Sequence, residues 1–166
     1  QPAPGHGLIF PCCPMTDFAH QPIEVYIPHR GAMRLIDRLI EADDDHAVAE
    51  VRVPVDGLFV RDGQVPAWVG LEYMAQTISA WSGARARRDG SEPRLGFLLG
   101  TRRYQASCGA FPVGSLLRVE AHHEFISDNG LGMFDCRILH AGVEIASARV
   151  SIFEPADGAA YLHAAQ

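Results

Sequence analysis

The chain has 166 residues, 48% apolar and 20% charged, enough apolar material for one hydrophobic core. That composition excludes a disordered, collagen-like or coiled-coil chain. Fourteen basic residues, all Arg, stand against twenty acidic ones, and the net charge of −6 leaves no global field to hold nucleic acid.

Cys12, Cys13, Cys108 and Cys136 are too sparse for a disulfide scaffold, and the adjacent pair does not readily bridge itself. No C-x-x-C is present, so no metal site is expected. The first residues lack a cationic run followed by an apolar stretch, so a cytoplasmic location is expected. Residues 1–22 hold five prolines and no hydrophobic period, and read as a loose arm. Residues 23–156 read as one domain without an internal repeat, and residues 157–166 as a tail.

After the arm, Ile23-Glu24-Val25-Tyr26-Ile27 alternates like a short strand that enters Pro28-His29-Arg30. Residues 34–41 fit helix or strand equally by pattern. From Ala47 to Pro54, Val48, Glu50 and Arg52 alternate against Ala49, Val51 and Val53, which predicts a half-buried strand.

Between Val65 and Ala84 there is one charge, Glu72. Pro66 suits a first helical turn, and Leu71, Met74, Ala75, Ile78 and Trp81 keep helical spacing. The length would permit a membrane span, but Pro, Glu, Gln, Thr and two Ser argue against one. A helix this uncharged is expected to be buried nearly all round. Arg85, Arg87 and Arg88 then favour the C-terminal end of the helix dipole, ahead of Asp89-Gly90.

A strand is predicted from Gly96 to about Tyr104. Three long alternating runs follow, Leu116–Ile126, Gly132–His140 and Val143–Phe153, joined by the turns Ser127-Asp128-Asn129-Gly130 and Ala141-Gly142. One antiparallel sheet curved around one long helix satisfies this order.

Glu72 stands out chemically. A carboxylate in an apolar helix either finds donors or has its pKa raised, and a raised carboxyl suits general-acid work. The plain alternative is a Glu that reaches solvent or caps a neighbour. His29 follows a proline and precedes an arginine in a loop, where a histidine is commonly structural. His122 and His123 are adjacent in a strand, point to opposite faces and are read as structural. No phosphate loop, dinucleotide fingerprint or G-x-S-x-G elbow occurs, and Cys108 has no evident histidine partner.

Taken together, these motifs resemble a known family. Pro28-His29-Arg30 with Met33, Leu35 and Ile36-Asp37-Arg38 is similar to the "PHR…LLVDR" opening of the bacterial 3-hydroxyacyl-ACP dehydratases of the hotdog superfamily. Pro66 with Glu72-Tyr73-Met74-Ala75-Gln76 resembles their "PG…EAMAQ" helix, and Arg103-Tyr104 with Pro112-Val113-Gly114 their "ARF…PGD" region. The likeness runs from about 23 to 154, and the helix variant looks most like the dehydratases of aryl-polyene clusters.

The resemblance implies an α+β hotdog fold, a homodimer or dimer of dimers, and an acyl carrier protein partner whose phosphopantetheine brings the substrate. No other cofactor, no membrane and no nucleic acid are implied. Glu72 would protonate the departing 3-hydroxyl, and a backbone N–H near Ala67, after Pro66, would hold the thioester carbonyl. Gln76 belongs to the same substrate-binding helix motif.

One departure is notable: the family's "HFP" histidine falls on Leu58, in Leu58-Phe59-Val60. His29 is the replacement base this reading selects, and Asp56 the weaker one. The other expectation is that His29 only organises its loop. Arg85, Arg87, Arg88, Arg102 and Arg103 are the arginines to search for a positive mouth, with Arg102 and Arg103 chosen for the carrier. Trp68 and Trp81 are candidates to close an acyl tunnel, though core packing is the expected role of both. An acyl thioesterase and a non-catalytic subunit of a heteromer are the alternatives.

Overall fold

The computed structural model describes residues 18–94, 96–157 and 164. The expected arm lies outside the described residues up to position 17, and nearly all of the expected tail lies outside them beyond 157. Cys12 and Cys13 fall there too, while Cys108 and Cys136 are free thiols.

Strands β1 (Arg38–Ala42) and β2 (His46–Arg52) form a hairpin, so of the ambiguous stretch 34–41 the second half is strand and 34–37 is irregular. Strand β3 (Gln64–Pro66) runs through a 3-10 turn at Ala67–Val69 into helix α1 (Gly70–Arg88). Strands β4 (Phe97–Ala106), β5 (Ala110–Pro112), β6 (Leu116–Ile126), β7 (Leu131–His140) and β8 (Val143–Phe153) complete the chain.

Six strands make one antiparallel sheet in the order β1-β2-β6-β7-β8-β4, wrapped on α1: a hotdog fold. Strands β3 and β5 pair separately and tie the helix entrance to the β4–β5 turn. The single antiparallel sheet curved on one helix is as expected, but its strands do not neighbour one another in chain order. β4 skips to the far edge and pairs with β8, because β2 already occupies the free side of β6.

The inner face of the sheet follows the predicted alternation. Ala49, Val51, Leu117, Val119, Phe134, Ile138, Ala148 and Val150 join the core under α1. Burial of each large aliphatic side chain there stabilises the fold by roughly 1.5–3 kcal/mol. The β7–β8 connection has positive φ at both Ala141 (49°) and Gly142 (79°), the geometry that matches strand twist in a two-residue hairpin.

Two local expectations fail. Ile23–Val25 is a 3-10 turn, with Ile23, Tyr26 and Ile27 all pressed into the core. Apolar side chains there plug the end of the sheet instead of joining it. Helix α1 is also not buried all round. Glu72, Ala75, Ser79 and Ser82 form a half-open strip, and three small side chains account for the lack of charge.

Candidate functional site

The loop before β1 is shaped by its arginines. The Arg30 guanidinium donates to the carbonyls of Ile27 (2.6 Å), His29 (2.8 Å) and Glu24 (3.1 Å), and so folds the chain back around itself. Arg34 bonds the Ile36 carbonyl at 2.9 Å and pairs with Glu24 and Asp37. The remaining side of the loop is held by the helix. Gln76, fully buried, accepts from the Leu35 N–H at 2.9 Å and donates to the Met33 carbonyl at 2.8 Å. The same amide nitrogen lies 3.1 Å from Glu72 Oε1.

This clamp sets His29 Nε2 3.9 Å from Glu72 Oε1, with both side chains about one-third exposed. The Gln76 amide thus supplies Glu72 with a hydrogen-bond donor from the next turn of the helix. His29 Nδ1 is buried without a hydrogen-bond partner. Burial pulls the His29 pKa below 6.5; Glu72 partly offsets this and Arg30 adds to it. Burial thus disfavours the charged imidazolium and favours the form that can accept a proton.

Both residues open onto a cleft of about 250 Å³, walled by Ala75, Ser79, Phe97 and Leu98 among others. The cleft runs along the half-open strip of α1.

The helix entrance differs from expectation. The Ala67 N–H donates to the Gly109 carbonyl at 3.0 Å, as an extension of the β3–β5 pairing. It is not free to hold a thioester carbonyl in this arrangement, which corrects the role given to that atom. The Ala67 carbonyl in turn accepts the Tyr104 hydroxyl. Tyr104 turns inward because Arg103 adopts φ 56° where β4 slips register against β8, and burial pushes its phenol up to about 12. Pro66 is the last residue of β3 and precedes the 3-10 turn.

Asp56 does not line the cleft that holds Glu72. It lines a separate cavity of about 180 Å³ with Leu58, Phe59 and Tyr73. Trp81 is core, 3% exposed, but Trp68 is 64% exposed with its ring edge-on to Phe59, against the expectation of packing for both. His122 and His123 do point apart: His122 is exposed, while His123 stacks on Trp81 with ring centres 5.0 Å apart. No cluster of metal-ligating side chains occurs among the described residues.

Arg87 and Arg88 are held by Glu92 and Asp44, and Arg85 lies over the Trp81 ring. Arg102 and Arg103 sit elsewhere, in a groove on the outer face of the sheet with Arg137, Arg149, Glu120 and Asp135. Glu120 and Asp135 neutralise Arg137 and Arg149 there, whereas among the described residues no ion pair engages Arg102 or Arg103.

Sequence reasoning missed the pairing of Ser82 Oγ with Glu154 Oε2 at 2.7 Å, which lines the same cleft. Its only signal was a carboxylate directly after the last alternating run. The clamping role of Gln76 was missed as well, although a glutamine in an apolar helix signals a buried amide in search of partners.

The family profile described as "ApeP-like: ApeP dehydratase" matches residues 21–163. The dehydratase heterocomplex ApeI:P from Xenorhabdus doucetiae contains a chain 28% identical, with a TM-score of 0.79 over 89% of this chain and 99% of that one. A hypothetical thioesterase with coenzyme A from Streptococcus pneumoniae is 14% identical, with a TM-score of 0.55 over 70% of this chain and 83% of that one. A Streptococcus mutans protein bound to acetyl CoA gives 13% and 0.54 over 70% and 86%. These two share the fold. No curated protein sequence matches the chain.

Proposed function

The chain belongs to the ApeP-like dehydratase family, and from that membership we propose that it removes water from a 3-hydroxyacyl thioester presented on the phosphopantetheine of an acyl carrier protein. The observation that carries the reading is His29 Nε2 facing Glu72 Oε1 at 3.9 Å across one cleft.

His29 Nε2 takes the α-proton, the released electron pair forms the Cα–Cβ double bond, and the Cβ–O bond breaks. The Glu72 carboxyl delivers a proton to the departing hydroxyl, which leaves as water. The proton on His29 then passes to Glu72, 3.9 Å away, and restores both groups. Gln76 is a positioning residue: it holds Glu72 and the His29 loop in one frame. Pro66 and Ala67 serve this reading by setting where the helix starts, and the thioester carbonyl needs another donor while Gly109 occupies the Ala67 N–H.

The test is to incubate the protein with a 3-hydroxyacyl carrier protein and follow the mass of the acyl carrier. Loss of one water by wild type, and not by Glu72→Gln, supports dehydration to the trans-2-enoyl thioester. Release of the whole acyl group would replace the reading by thioester hydrolysis.

A second reading is favoured by Leu58, which stands half-exposed where the family resemblance places a histidine. There the chain completes a heteromer whose other subunit carries the base, and the similarity to a chain of the ApeI:P heterocomplex supports it. Full turnover by folded His29→Ala in complex with that other subunit, and none by either chain alone, would decide for this second reading.

The carrier protein is acidic in this reading, and Arg102 and Arg103 are its contacts, as cations of the outer groove without an ion pair among the described residues. The double variant Arg102→Glu/Arg103→Glu is expected to raise KM for the carrier-bound substrate, more so at low salt, and to leave turnover of the matching acyl-pantetheine unchanged.

A further inference from the structure

On the outer face of the sheet, β4 takes three steps where β8 takes two: Arg102 stands opposite Arg149, and Gln105 opposite Ser147. At this bulge Arg103 has a φ of 56°, in the left-handed region. In a regular strand Arg102 and Arg103 would point to opposite faces. The bulge instead sends Tyr104 inward to the Ala67 carbonyl and leaves both arginines, with Gln105, along one groove of about 840 Å³.

Two features of this arrangement cost stability. A left-handed backbone is strained at a residue that bears a Cβ. Arg102 directly opposite Arg149 is a like-charge cross-strand pair, which weakens a sheet. The carboxylates of the groove offset this only in part. Glu120 is held between Arg118 and Arg137, and Asp135 is held by Arg149. Glu144, the third, sits at the start of β8 beside the β7–β8 turn.

We propose that Arg102, Arg103 and Arg149, with the Ser147 hydroxyl beside them, form a binding site for a phosphate group. An anion seated there relieves the repulsion between the opposed arginines, and the strained backbone of Arg103 aims one more guanidinium at it. Three forks from adjoining positions match a tetrahedral ligand that accepts from several directions, whereas one fork satisfies a carboxylate. Gln105 and Ser147 add neutral donors, and the short serine leaves depth among longer side chains. The site goes beyond the dehydration reading and stands whether or not Glu72 does that chemistry. Its phosphate belongs either to a phosphopantetheine arm or to a free phosphorylated molecule.

The protein in its native assembly is titrated by calorimetry with inorganic phosphate, at ionic strength held constant with chloride. Saturable binding is expected, at least ~10-fold tighter than that of acetate, the effect of a further charge-assisted hydrogen bond. Arg103→Gly keeps the left-handed backbone without strain and removes the guanidinium, while Arg102→Gln leaves the bulge alone. Each should weaken phosphate binding at least ~10-fold. Arg88→Gln, which removes a cation paired with Asp44 outside the groove, should leave it unchanged. Arg103→Gly should also melt higher than wild type without phosphate and gain less from its addition.

The source of the phosphate is read with 4′-phosphopantetheine. Binding at least ~10-fold tighter than inorganic phosphate assigns the site to the arm, whose pantetheine then adds contacts of its own. Equal affinity assigns it to a free phosphorylated molecule. A wild type without saturable phosphate binding, an equal affinity for acetate, or the same loss in Arg88→Gln as in Arg103→Gly overturns the proposal.

Discussion

His29 and Glu72 owe their meeting to two side chains that do no chemistry. Arg30 gathers three carbonyls of its own loop, and Gln76 bonds the same loop from the helix. Gln76→Leu would leave the Leu35 N–H and the Met33 carbonyl without partners, at a cost of about 2 kcal/mol or more, read as a lower melting temperature. With the His29 loop released, kcat should fall further than this loss of stability explains at a temperature where the variant is folded. In the proposed role, His29 works as a base only when neutral. Because burial lowers its pKa, kcat/KM is expected to hold through neutral pH and to fall only below about 6.5. His29→Ala should remove that acid limb and lower kcat by roughly 10²–10⁴-fold. An acid limb that persists unchanged in His29→Ala would refute the assignment.

Helix α1 is placed by close approaches that composition conceals. A Cβ on Gly83 would lie 1.8 Å from the Tyr26 carbonyl oxygen, so the helix touches the 23–27 turn backbone to backbone. Alanine favours a helix over glycine by about 1 kcal/mol, yet Gly83→Ala is expected to destabilise the protein by more than about 2 kcal/mol in denaturant unfolding, because the clash exceeds the propensity. At the other end, Gly70 leaves room for Tyr104, whose hydroxyl would sit 2.5 Å from an added Cβ. Tyr104→Phe removes the bond to the Ala67 carbonyl and should cost about 1 kcal/mol. The helix itself was legible from spacing and from its lack of charge. Its open strip was not: alanine and serine are as common in helix cores as on a cleft wall, and only packing separates the two.

The whole sheet leaves a ten-residue strand, β4, along one edge, with Leu98 and Leu99 exposed 39% and 58%. A long apolar edge invites pairing with another chain. Leu99→Arg is expected to lower the mass of the assembly in light scattering while the circular dichroism of the fold is kept; an unchanged mass would place the subunit contact elsewhere. The order of the sheet also puts Arg102 and Arg103 on its outer face. Arg102 lies opposite Arg149, a neighbour of the inward-facing Ala148 and Val150. No helix among the described residues is long and apolar enough to cross a membrane.

Local pattern by itself determined the long strands, their hairpin turns, the central helix and the solitary carboxylate on it. Each of these is written in spacing of two or 3.6 residues, or in turn residues, over a short stretch of chain. Motif order carried the family likeness for the same reason. Tertiary structure alone decided that β4 crosses to the far edge, that residues 23–27 plug the core, and that the Ala67 N–H is taken by Gly109. It alone joined Gln76 to the His29 loop and Ser82 to Glu154. Those are contacts between residues far apart in sequence, and their geometry depends on how the sheet closes over the helix, which no local periodicity records.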